Sequence, residues 1–109
     1  MADVFGILGQ LSPSATILTL IYTCPLGKFA TVSSVCICNT TSAKIKFRLS
    51  AAKAAEADNI KQYLLYDVEV APKSTFTYTI GISLAGSDVL RVYATTINVA
   101  FNVFGVEVS

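Results

Sequence analysis

Three observations predict an all-β chain, an antiparallel β-sandwich of jelly-roll-like form with seven to eight strands. Apolar and polar residues alternate with a period of two. Turn residues recur between short apolar runs. Almost no stretch carries a helical apolar stripe. At 109 residues the chain is one domain. We divide it into a single sandwich domain over residues 16–109 and, before it, an N-terminal segment over residues 1–15.

The strongest alternation is Thr75–Leu84, where Phe76, Tyr78, Ile80, Ile82 and Leu84 share one face and Thr and Ser residues with Gly81 share the other. That spacing predicts one half-buried strand. Thr16–Cys24 is apolar on both faces, which fits a central or interface strand. Pro25-Leu26-Gly27 turns the chain into the β-branched run of Lys28–Asn39. In Lys44–Leu49, Ile45, Phe47 and Leu49 oppose Lys44, Lys46 and Arg48. In Ile60–Val70 the alternation puts Ile60, Leu64, Tyr66, Val68 and Val70 inside, and Lys61, Tyr63, Leu65, Asp67 and Glu69 outside. Val89–Thr96 and Asn98–Val108 complete the set. In the last segment Val99, Phe101 and Val103 hold one phase while Phe104, Val106 and Val108 hold the other. Either a bulge near Val103–Gly105 flips the strand, or both of its faces are covered. Ser50–Asn59 is rich in alanine, lysine and glutamate and predicts at most one or two helical turns, with Ser50 as a cap and Asn59 as a stop, or an ordered loop.

Composition narrows the function classes. Apolar residues make up 53% of the chain and charged residues only 14%, against roughly 25% charged in an average domain. A domain this small has more apolar side chain than its own core absorbs, so the surplus predicts contact with neighbouring subunits. A membrane helix is not expected, because the uncharged stretch from Asp3 to Lys28 is interrupted by Gly6, Gly9, Gln10 and Pro13. Met1-Ala2-Asp3 has no basic region, so no secretory signal is expected either. A net charge of +1 makes no case for binding nucleic acid. The chain has no histidine, and Cys24, Cys36 and Cys38 lack zinc spacing, so we expect no metal and no cofactor, and three free thiols.

A search for catalytic patterns yields little. Ser50-Ala51-Ala52-Lys53 has the S-x-x-K spacing without the companion motifs of that chemistry. Asp67 and Glu69 are paired carboxylates on a solvent-facing row, where a general acid lacks the burial that raises its pKa. We expect no enzyme. The candidate contact residues are Val4, Phe5, Ile7 and Leu8 of the N-terminal segment, which is either an edge strand pairing with Asn98–Val108 or an arm over a neighbour. The basic stripe Lys44, Lys46 and Arg48 joins them, with Tyr63, Asp67 and Glu69 as its counterpart, within or between subunits. Tyr63 is the tyrosine that its phase places outside. An exposed aromatic surface of this kind would suit the alternative of a carbohydrate- or receptor-binding module. Asn39-Thr40-Thr41 fits a glycosylation sequon and reads as a polar turn.

Several elements occur together in order: Gly9-Gln10, Leu20-Ile21-Tyr22-Thr23, Pro25-x-Gly27, Val32-Ser33-Ser34, Cys38-Asn39 and Phe47-Arg48. They continue with Lys61-Gln62-Tyr63-Leu64-x-Tyr66-Asp67-Val68, Gly81-Ile82, Asp88-Val89-x-Arg91-Val92-Tyr93-Ala94 and Phe101-Asn102-x-Phe104-Gly105. Over nearly its whole length the chain resembles small structural proteins of tailed bacteriophages and prophages. None of the shared elements is catalytic. The resemblance implies a virion component, of the tail, fibre or baseplate or as capsid decoration, assembled in the host cytoplasm. The expected partners are further copies of the chain, in a homo-oligomer for which a trimer is the first expectation, and other virion structural proteins.

Overall fold

The fold comes from a computed structural model and is described for residues 3–108. The strands are β1 (Val4–Leu11), β2 (Thr19–Thr23), β3 (Phe29–Asn39), β4 (Ile45–Ala52), β5 (Tyr63–Val70), β6 (Thr75–Tyr78), β7 (Ile82–Ala85), β8 (Val89–Ala94) and β9 (Val99–Val108). They form two antiparallel sheets. One has the order β1-β9-β3-β6 with β7 also on β3, and the other the order β2-β8-β4-β5. Counted as two halves of one strand, β6 and β7 leave eight, paired first with last, second with second-last and so on inward. That is a long hairpin rolled into a jelly roll.

The core lies between the sheets. Val35, Ile37, Phe47, Leu49, Leu90, Val92, Val99, Phe101 and Val103 are fully buried. The Phe47 ring meets Phe76 at 5.4 Å and Phe101 edge-on at 6.1 Å. Each such side chain contributes about 1.5–3 kcal/mol by leaving water. At Gly9 the carbonyl of Ile21 approaches so closely that a Cβ would stand 2.5 Å from it, which lets β1 and β2 close one side of the sandwich.

The structure departs from the expected elements in several places. The strand expected over Thr75–Leu84 is broken. Phe76 and Tyr78 face Ile37 and Val35, Ile82 and Leu84 face Val32 and Ala30, but Ile80 lies in the break and is 49% exposed. The break sits opposite an irregularity at Ser33 in β3, which is why Val32 and Val35 both point inward.

In β5 the expected phase is wrong over its first half. Phe47 pairs with Val68 and Leu49 with Leu65, so β5 has an extra residue there, and Asp67 adopts a left-handed φ of 51°. The bulge turns Leu65 towards the core with Val68 and Val70, and leaves Leu64 and Tyr66 exposed. Ile60 is not on the strand at all but on an exposed 3-10 turn.

β9 needs no flip. Val99, Phe101 and Val103 point inward and Phe104, Val106 and Val108 outward throughout. The extra residues lie in the neighbours, at Leu8 of β1 and Ser33 of β3. Finally, Ser50 belongs to β4 and caps nothing, and Asn59 starts a turn instead of stopping one. Its Oδ1 accepts from the Lys61 amide at 3.1 Å, while the Asn59 amide donates to Gln62 Oε1 at 3.3 Å. Likewise β2 is an edge strand, not a central one, with Leu20 half exposed.

Candidate functional site

The two sheets present outer faces of opposite character. On the four-stranded sheet, Arg48 of β4 donates from Nε to Asp67 Oδ1 at 2.6 Å. Its guanidinium lies 4.2 Å from the ring centroids of both Tyr66 and Tyr93. Tyr63 meets Tyr66 edge-on at 5.0 Å and donates to Asp58 at 3.3 Å. The bulge makes this cluster possible, because it brings Tyr66 to the outer face and aims Asp67 at Arg48. The Arg48 hydrogen bond holds the Asp67 carboxyl below the usual carboxylate range, and Asp67 in turn raises Arg48. Burial, then the Asp58 carboxylate, pushes the Tyr63 phenol up. Beside the cluster Lys44 pairs with Glu69 at 3.2 Å, and Lys46 stands across from Glu69 in register.

The basic stripe and the acidic pair thus meet within one chain. Lys44 and Arg48 are each paired with one of the two carboxylates, and Lys46 is the third cation beside them, so the stripe is not left as a free charged ridge. The exposed Lys44–Glu69 pair adds little stability.

The five-stranded sheet has the other kind of face. Its outward row on β1 carries Phe5 (77% exposed) and Ile7 (57%), paired with Val106 and Phe104 of β9. Phe29 of β3, 64% exposed, pairs with Val108. The rest of the outward positions are Gln10, Ala100, Asn102, Thr31, Ser34, Cys36, Cys38 and the Thr and Ser residues of β6 and β7. Among the described residues no Asp, Glu, Lys or Arg stands in an outward strand position of this sheet. Among the described residues the only side-chain hydrogen bond between β1 and β9 is Gln10–Asn102 at 2.6 Å.

The candidate residues therefore divide between two opposite faces and form no single site. Phe5 and Ile7 are exposed on the outer face of the five-stranded sheet, Val4 is exposed in the inward row beside Glu107, and Leu8 packs partly against the core. Lys44, Lys46, Arg48, Tyr63, Asp67 and Glu69 gather on the four-stranded sheet. Sequence reasoning missed Tyr66 and Tyr93 as partners of Arg48, and Phe29, Phe104, Val106 and Val108 as neighbours of Phe5 and Ile7. For the last three the signal was present, as the second apolar phase of β9.

Two interior features are structural. Asn39 is fully buried. Its Nδ2 donates to the carbonyls of Ala43 (2.8 Å), Val70 and Ala71 (both 3.1 Å), and its Oδ1 accepts from the Thr41 amide and hydroxyl. The sequon asparagine is a buried clamp between the β3–β4 corner and the end of β5. Tyr22 is buried and donates to Glu107 at 2.6 Å; burial, then that hydrogen bond, pushes its phenol far above the usual range. Burial also raises the Cys24 thiol.

An open cleft of about 220 Å³ lies between Ala51–Lys53 and Ile82–Leu84. Its one carboxylate, Asp88, already accepts the amides of Ala54 and Ala85, both at 2.9 Å, and so holds the rim in place. Among the described residues no three His, Cys, Asp or Glu side chains group as a metal site, and no helix is long and apolar enough to cross a membrane. No family model, no curated protein and no solved structure matches the chain.

Proposed function

We propose that the chain is a non-enzymatic structural subunit of a tailed-phage virion, placed at the tail, fibre or baseplate or on the capsid surface. It works through contacts with its own copies and with neighbouring virion proteins. The observation that carries this reading is the outer face of the five-stranded sheet, which has no charge in its described outward strand positions and gathers Phe5, Ile7, Phe29, Phe104, Val106 and Val108 at one end. A face of that kind, exposed on a free monomer, is an association surface or a liability. The resemblance over nearly the whole chain supports the virion setting, and jelly rolls are a frequent architecture of virion proteins, though a fold alone never assigns a function.

The test is mass spectrometry of washed, density-purified particles of the phage or induced prophage that encodes the chain, with an epitope tag to place it by electron microscopy. Stoichiometric recovery with the particles is expected. Abundant protein in the lysate and none in the particles would refute the reading.

A further inference from the structure

We infer that the outer face of the five-stranded sheet is where the protein packs against a second copy of itself, face to face across a two-fold axis. The inference rests on the proposal that the chain is an assembly subunit, and it names the partner of that face.

Surface area comes first. The folded chain exposes 5698 Å². A monomer of 11.6 kDa is expected to expose about 5,800 Å². The fold therefore buries no more than an ordinary domain, and the surplus of apolar residues has not been absorbed by a larger core. It stays outside, partly on scattered residues such as Leu20, Leu26, Ile60 and Leu64, and partly as one contiguous group on the five-stranded sheet, where exposed Phe5, Ile7 and Phe29 adjoin half-buried Phe104, Val106 and Val108.

Charge selects the occupant. Foreign partners are commonly steered and discriminated by complementary charge. This face offers none to read. A neutral face can meet its own copy in many orientations without setting like charges together. The opposite sheet, with Lys46, Arg48, Asp67 and Glu69, would meet its copy only in a register that avoids such pairs.

Size is the third argument. Four strand widths by ten residues is on the order of 600 Å² in flat projection, before side-chain relief is added. Interfaces of standard size cover about 800 Å² of accessible surface per partner. The whole face, its apolar end and its neutral polar end together, approaches the size of a specific dimer contact once side-chain relief is added. Exposed Phe5 and Ile7 on β1, with Phe29 on β3, flank the half-buried row of β9, so two copies have ridges to set against rows, as packed sheets do. A contact that uses the same patch on both copies closes at two. The expected assembly unit is a dimer, in place of the trimer anticipated from the sequence.

The experiment uses the full chain. Size-exclusion chromatography with light scattering at micromolar concentration should give twice the 11.6 kDa chain mass. Phe5→Lys and Phe29→Lys alter exposed side chains and should leave folding intact, which circular dichroism checks. Each should weaken the dimer about 30-fold or more, as loss of a central apolar anchor does. Ile60→Lys, 83% exposed on the 3-10 turn before β5, should leave it unchanged.

A second readout needs no substitution on the face. Cys36 and Cys38 point outward from β3, so their labelling by a maleimide should slow as protein concentration rises through the dimerisation range. A dimer whose mass and thiol labelling ignore both lysine variants overturns the assignment of the face. A trimer overturns the two-fold. A wild-type monomer overturns self-association altogether, while the virion reading is decided separately by the particle analysis.

Discussion

Replacing Asn39 by aspartate keeps the shape of the side chain and removes its donors. Asn39 is fully buried, and its amide group donates to the carbonyls of Ala43, Val70 and Ala71. Two N–H bonds share three acceptors, so the loss is two net hydrogen bonds at about 1 kcal/mol each, with at least ~1 kcal/mol more for a carboxylate facing carbonyl oxygens. The total is about 3 kcal/mol. For 109 residues, an unfolding entropy of about 2.1 cal/mol/K per residue gives ~0.23 kcal/mol/K, so the midpoint should fall by about 13 °C.

Differential scanning calorimetry at neutral pH measures this directly. The new carboxyl is pushed upward by burial among carbonyls, so its folded pKa exceeds the unfolded value of about 3.9. Its cost is therefore full above the raised folded pKa and shrinks as pH falls from there towards about 3.9, the usual unfolded value, as protonation returns one donor. The gap to wild type should narrow at acid pH. A drop of less than about 4 °C at neutral pH would mean the amide does not hold the β3–β4 corner to β5.

Three further substitutions probe the bulges and their consequences. Gly105→Ala places a Cβ against the carbonyl oxygen of Thr31 and 2.9 Å from Val32 Cα, both backbone and unable to swing away, so a loss of about 3 kcal/mol or failure to fold is expected. Gly81→Ala, with nothing within 4 Å, should change urea stability by less than about 0.5 kcal/mol. Asp67→Asn tests the Arg48 pair. Because Arg48 holds the Asp67 carboxyl below its unfolded pKa of about 3.9, the pair stabilises the fold above that value and is lost as pH falls through the folded pKa. The urea midpoint of the variant should therefore decline less steeply than wild type on acidification, and parallel curves would count against the pair.

The chain's local pattern was enough to determine the all-β class, the antiparallel sandwich and most of the inward rows. Val99, Phe101 and Val103, or Ile45, Phe47 and Leu49, point one way because successive side chains of a strand must alternate. Composition was enough to say that apolar surface would be left over. Only the tertiary structure decided where the alternation slips, at Asp67 in β5, opposite Val103–Phe104 in β1 and opposite Phe104–Gly105 in β3. A bulge answers the register of the strand beside it, and that strand is distant in sequence.

The same holds for neighbours across a sheet. Phe5 and Val106 lie at opposite ends of the chain and side by side on one face. Arg48 finds Tyr66 and Tyr93 only after β4 is set between β5 and β8. Period-two alternation shows that a residue faces outward. Sheet order determines what stands next to it, and so makes one outer face charged and largely self-paired and the other neutral, with its apolar residues gathered at one end.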